Sequence, residues 1–178
     1  MVTPDEGRLL GSALHAARAA VTVRPALYDV AELINSTLLS AVDSVPGAES
    51  GGVSIESHGA GGAHGSTSQA AADLDVLQHR AGGGPCLSAL REPPGRAVVF
   101  AQDLGGRDAD RWPEFAVGAV ALGVPAVMSL QLPAVTGIGA ALNLYSSQAD
   151  GFESADLAMA HLFVGHLAHL LFLSLIHI

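Results

Sequence analysis

The chemistry this sequence could carry rests on a few side chains, the first of them Cys86 in Gly82-Gly83-Gly84-Pro85-Cys86-Leu87. Pro85 suits the first turn of a helix, where its missing N–H costs nothing. A thiol one residue later could be acidified by the helix start and act as a nucleophile or redox sensor. It is also the single cysteine of the chain. No second thiol is there to resolve an oxidised form, close a disulfide or build a thiolate metal centre. Free cysteines are among the most buried residues, so a packed core thiol is expected, with thiol-based redox sensing or catalysis through Cys86 as the alternative. The Gly82–Gly84 turn could offer N–H groups to an anion. It lacks the Lys and Ser/Thr of a phosphate-binding loop and reads as a tight turn.

His161, His166 and His169 are the nearest approach to a metal cluster. On a helix turning about 100° per residue, His166 and His169 share a face, while His161 lies ~80° from His169 and ~140° from His166. That is a poor three-ligand arrangement, so no metal is expected. The pair reads instead as part of a pH-sensitive dimer seam with Leu162 and Leu170. His58, His64 and His79 have no ligand-like spacing and read as surface or pocket-rim residues. Asp108 and Asp110 read as helix caps ahead of Trp112-Pro113, and Trp112 and Phe115 as core anchors. Gly-x-Ser-x-Gly, His-Glu-x-x-His, CxxC and Walker patterns are all missing from the sequence. No catalytic residue and no cofactor is expected.

These residues must be positioned by a mixed set of elements. Leu10, Leu14 and Ala17 have helical spacing, as do Leu27, Val30, Leu33, Ile34, Leu38 and Val42 after Pro25. Pro46-Gly47 stops the second helix, and Val53 and Ile55 alternate with polar partners as in a half-buried strand. Residues 58–68 support a turn and a weak strand. A short helix follows over Asp73–His79, then one from Pro85 to Pro93, a strand over Ala97–Phe100 and a polar loop to Arg111. A helix from Pro113 to about Leu122 leads to two strands, Ala126–Leu132 and Gly139–Tyr145, joined as a hairpin. The last helix starts near Asp156, an acid well placed in its first turn. The order predicts an α+β domain, an antiparallel sheet with helices on its faces.

Composition sets further bounds. Of the 178 residues, 49% are hydrophobic but only 4% aromatic, so the core must be built from Ala, Val, Leu and a few Phe. One domain plus extensions fits the length. Eight Arg and no Lys stand against seventeen acids, a formal charge of -9, and such a chain repels phosphate backbones, so it is not expected to grip nucleic acid. No signal peptide is apparent over Met1–Leu10, and a cytoplasmic setting is expected. From Leu157 to Ile178 there is no formally charged residue, long enough for a membrane span. Four histidines and the missing basic anchor count against that reading. The expectation is an apolar helix packed partly on its own sheet and partly on a second copy, a homodimer.

Seven blocks in order, Leu74-Asp75-Val76-Leu77-Gln78, Gly84-Pro85-Cys86-Leu87, Asp103-Leu104, Arg111-Trp112-Pro113-Glu114-Phe115, Leu122-Gly123-Val124, Ser129-Leu130-Gln131-Leu132 and Gly139-Ala140-Ala141-Leu142-Asn143-Leu144-Tyr145, resemble the GAF domain of actinobacterial GAF–ANTAR regulators. The resemblance covers about Tyr28 to Phe172. It implies a GAF-like sensory domain over 26–173, after an N-terminal helical extension over 1–25 and before an atypical or truncated tail over 174–178. In that family an ANTAR module, which binds hairpins in nascent RNA and prevents transcription termination, usually follows; RNA binding would belong to that missing module. A family acid just before Gly-Pro-Cys is replaced here by Gly83, which implies a looser loop. The expected function is sensing: a small ligand or a partner protein bound between the sheet and the segments Gly82–Leu90 and Trp112–Leu122, signalled through dimer-helix packing. The expected pocket residues are Gly84, Cys86, Leu87, Leu90, Trp112, Phe115 and Asn143. A scaffold that only dimerises is the remaining alternative.

Overall fold

The computed structural model describes residues 27–57, 60–93, 97–133 and 138–176. The helix expected around Leu10, Leu14 and Ala17 and the extension over 1–25 lie outside them.

Helix α1 spans Leu27–Ser44. Val30, Ile34, Leu38 and Ala41 fall on one face, and all four are buried. Exposed Ser36 and Ser40 and buried Thr37 donate their hydroxyls to carbonyls of the preceding turn. Strand β1 (Ser50–Ser57) pairs with β2 (Ala60–Ser66). Helix α2 runs over Gln69–Ala81, longer than the expected 73–79. It is capped by Ser68, whose Oγ accepts from the Ala71 N–H at 3.1 Å, and closed by left-handed Gly82 (φ 63°). Helix α3 (Pro85–Arg91) begins at its proline, as does α4 (Pro113–Ala121). Strand β3 is Val98–Ala101, and a short 3₁₀ turn over Ala109–Arg111 interrupts the polar loop. The hairpin strands β4 (Ala126–Gln131) and β5 (Gly139–Ser146) precede α5 (Ser154–Ile176), which takes in the first residues of the expected tail.

The five strands form one antiparallel sheet in the order β2-β1-β5-β4-β3, with helices on its two faces. The domain is α+β, as the element order predicts. Alternation along the strands sends Val53, Met128, Leu130, Leu142 and Leu144 to the side of α1 and α5, where they join one large apolar core with Ile34, Leu38, Leu167 and Leu171. The opposite side takes Ser54, Val127, Ser129, Asn143 and Tyr145, under α2, α3 and α4. Strand β1 is therefore not half-solvated: Gly51 to Ser54 are all buried, because helices cover both sides of it.

Helix α5 is long and apolar enough to cross a membrane by length and composition, with mean hydropathy 1.6 over Ser154–Leu175. Here Ala160, Val164, Leu167, Ala168 and Leu171 pack against α1 and the sheet. Asp156 anchors its start, accepting from the N–H of Glu153 at 2.7 Å and of Gly47 at 3.3 Å.

Candidate functional site

The second face of the sheet holds a polar cluster inside the protein. Ser54 on β1, Ser129 on β4, Asn143 and Tyr145 on β5, and Asp75 and Gln78 on α2 are all buried. Ser129 and Asn143 are cross-strand partners, and the Ser129 hydroxyl donates to Asn143 Oδ1 at 2.7 Å. Asn143 Nδ2 then donates to Ser54 Oγ at 3.1 Å and to Asp75 Oδ1 at 2.8 Å. The Tyr145 hydroxyl donates to the same Asp75 oxygen and accepts from Gln78 Nε2 at 3.4 Å. Gln78 Oε1 accepts the Cys86 backbone N–H at 2.8 Å, tying α3 to α2. The chain is thus continuous from three strands through α2 to the start of α3.

Two glycines make room for this network. A Cβ on Gly52 would lie 2.2 Å from Asp75 Oδ2, and one on Gly84 would lie 2.4 Å from Gln78 Oε1. Glycine is needed at both points so that backbone can approach these polar tips.

The electrostatics follow from burial. Asp75 Oδ2 has no hydrogen-bond partner among the described residues. Burial pushes the Asp75 carboxyl up to about 6, with the hydrogen bonds from Tyr145 and Asn143 opposing that rise. Burial also raises the Tyr145 hydroxyl well above its usual value, and the neighbouring Asp75 adds to it. Cys86 is fully buried. Its thiol is pushed up to about 12, first by burial and then by the Asp75 charge. Burial outweighs any acidification by the helix start, so the thiol is protonated at neutral pH and lacks the thiolate that nucleophilic chemistry requires. A disulfide reagent such as Ellman's should accordingly label Cys86 in the native protein at least ~100-fold more slowly than in 6 M guanidinium, measured as thiolate release at pH 8.

The residues expected in a pocket are distributed around this cluster. Cys86 and Asn143 belong to it, and Gly84 touches it through Gln78. Leu87 is buried, and Leu90 is half-buried against Gly139. Phe115 sits with Leu74, Leu104 and Tyr145 in an adjoining apolar core, and Trp112 packs on its edge. The Trp112 indole N–H donates to Ser88 Oγ at 3.0 Å. Sequence reasoning did not single out Ser54, Asp75, Gln78, Ser129 or Tyr145. The available signal was a polar residue set between two apolar ones in each of three strands, Ser54 between Val53 and Ile55, Ser129 between Met128 and Leu130, and Asn143 between Leu142 and Leu144.

The other candidate residues are placed as follows. The N–H groups of Gly82 and Gly83 are taken by the carbonyls of His79 and Gln78, so this turn caps α2 and offers neither to an anion. Asp108 caps nothing with its side chain. Its Oδ2 accepts the N–H groups of Gln102 and Asp103 at 2.8 and 3.0 Å, and its Oδ1 accepts Arg111 Nη1 at 2.8 Å. Burial raises its carboxyl, but these hydrogen bonds outweigh it and hold the group below its ordinary value. It is a latch for the loop after β3. On α5, Leu162 is 70% exposed and shares the outer side with His166 and His169. Leu170 is buried in the chain's own core and does not belong to that side.

No family model and no curated protein matches the chain. Solved structures do. A GAF domain/HD domain protein from Geobacter sulfurreducens is similar with a TM-score of 0.60 at 19% identity, over 84% of this chain and 96% of that one. A domain assigned to a two-component sensor histidine kinase protein from Sinorhizobium meliloti 1021 has a TM-score of 0.59 at 14% identity, over 78% and 88%. The type II free methionine-R-sulfoxide reductase from Thermoplasma acidophilum has a TM-score of 0.55 at 15% identity, over 80% and 94%. Likeness at such low identity speaks for architecture alone, and on it the chain has a GAF-like fold.

Proposed function

We propose that the chain is a non-enzymatic sensory module: a small molecule held on the α2–α3 side of the sheet biases the packing of α1 and α5, and an output domain reads that packing. The observation that carries this reading is the buried polar cluster around Asp75. Burying polar groups destabilises a fold, and this side of the sheet buries Ser54, Asp75, Gln78, Ser129 and Asn143 in one network. An acceptor with no hydrogen-bond partner among the described residues, Asp75 Oδ2, is the kind of group a ligand donor satisfies. Such a ligand acts only by binding one helix arrangement better than another.

The outer side of α5, with Leu162, His166 and His169, carries no formal charge and is the surface for a second copy. The resemblance to GAF–ANTAR regulators supplies the output, transcription antitermination in the cytoplasm, with RNA contact left to the ANTAR module. The redox reading through Cys86 is disfavoured by its burial, its protonation and its lack of a second thiol.

Light scattering in detergent-free buffer tests this. The expected mass is that of two 18.0 kDa chains, and Leu162→Glu is expected to return a monomer that keeps its circular dichroism. In a thermal-shift panel of nucleobases, nucleosides and amino acids, a ligand that stabilises wild type and not Asp75→Asn is expected. A dimer with no ligand response would favour the dimerising scaffold. Solubility only in detergent would make α5 a membrane segment and overturn the reading.

A further inference from the structure

Four of the eight arginines fall in the described residues, at 80, 91, 107 and 111, and two of them line one cleft of about 470 Å³ in a protein of net charge -9. The cleft opens where the end of α2, the end of α3 and the start of α4 meet. Its walls include Gly82, Gly83, Arg91, Arg111, Trp112 and Glu114.

Both guanidinium groups are held by contacts within the protein. Arg91 Nη2 donates to the Gly82 carbonyl at 2.9 Å. Arg111 Nη1 donates to the Phe100 carbonyl at 2.7 Å and to Asp108, and its Cζ lies over the Trp112 ring, 4.1 Å from the ring centre. Held this way, each arginine keeps further N–H donors without a partner among the described residues, and little side-chain entropy remains to be lost on binding. Trp112 is itself held by Ser88, and it has no side chain capping α4, so the first free amides of that helix add to the donor set. Glu114 is the one acid on the cleft wall and Asp108 pairs with Arg111, so Arg91 brings the positive charge that no ion pair among the described residues answers.

We propose that this cleft binds a small organic oxyanion, a phosphate ester or a carboxylate, between Arg91 and Arg111. Forked guanidinium donors match the paired oxygens of both groups. The volume is many times that of one water, about 30 Å³, and so admits a molecule rather than a bare ion. This site is separate from the Asp75 cluster, and it stands or falls without the sensory reading.

Trp112 is the only tryptophan of the chain, so intrinsic tryptophan fluorescence reports on the cleft directly. Purified protein is titrated with glycerol phosphate, succinate and inorganic phosphate, with sodium chloride at matched ionic strength as control. A saturable change with at least one of the first two is expected, and whichever binds tighter assigns the oxyanion. Arg91→Gln should weaken that binding tenfold or more, and Glu114→Gln should tighten it severalfold, both with unchanged circular dichroism. No saturable change, the same change with chloride, or equal affinity in Arg91→Gln would overturn the proposal.

Discussion

Asp75→Asn is expected to flatten the pH dependence of stability between pH 4 and pH 8. The carboxyl sits at about 6 in the folded chain against an ordinary 3.8, raised by burial. A raised carboxyl pKa means that the unfolded chain ionises first. Stability from this group is therefore full below about pH 4 and is lost as pH rises through the window from 3.8 to about 6. At 1.36 kcal/mol per pKa unit the loss is on the order of 2–3 kcal/mol. Asparagine keeps an acceptor for Asn143 and Tyr145 but has no charge to bury. Urea unfolding of both proteins at pH 4 and pH 8 gives the difference of differences. A wild type no more pH-sensitive than the variant would mean that Asp75 is solvated or differently partnered.

Asn143→Leu is expected to be the more damaging change, close in volume but without polar atoms. It strips one of the two described donors from the buried Asp75 oxygen and leaves the Ser129 hydroxyl without its acceptor. Each orphaned buried group costs about 1–3 kcal/mol, and more when charged, so a loss of roughly 3–5 kcal/mol is expected. That is a large share of the ~5–15 kcal/mol typical of a folded domain. The loss should be smaller when Asp75 is already Leu, and a double-mutant cycle should show coupling of about 1–3 kcal/mol. Simple additivity would mean that the two side chains do not share one network.

Much of the architecture was legible because local rules and tertiary demands agree. Pro85 and Pro113 start the helices that they predict, and the alternating apolar residues of β4 and β5 mark a strand pair. The site was less legible. Ser54, Ser129 and Asn143 each look like the outward member of an alternating strand, and only helices arriving from elsewhere in the chain turn that side into interior. Asp75 follows Leu74 on α2 and reads as a solvated acid, since one helix alone cannot show that its neighbouring face is also covered. Helix α5 is apolar almost all round, so spacing could not separate inward Leu170 from outward Leu162. Asp108 precedes Trp112-Pro113 as a cap would, but its partners are backbone groups of Gln102 and Asp103, a loop geometry that no short-range pattern encodes.

The strand order also sets the timing of assembly. Strand β1 pairs with central β5, so that Ser54 meets Asn143 across 89 residues of chain. Local pieces such as α1 or the β4–β5 hairpin can form early, but closing so long a loop must precede the contacts that reward it. The sheet is therefore a slow, all-or-none event that waits for the last strand to leave the ribosome. Until then, β1 and β2 carry an open hydrogen-bonding edge in the nascent chain, the stage at which this protein is most exposed to aggregation.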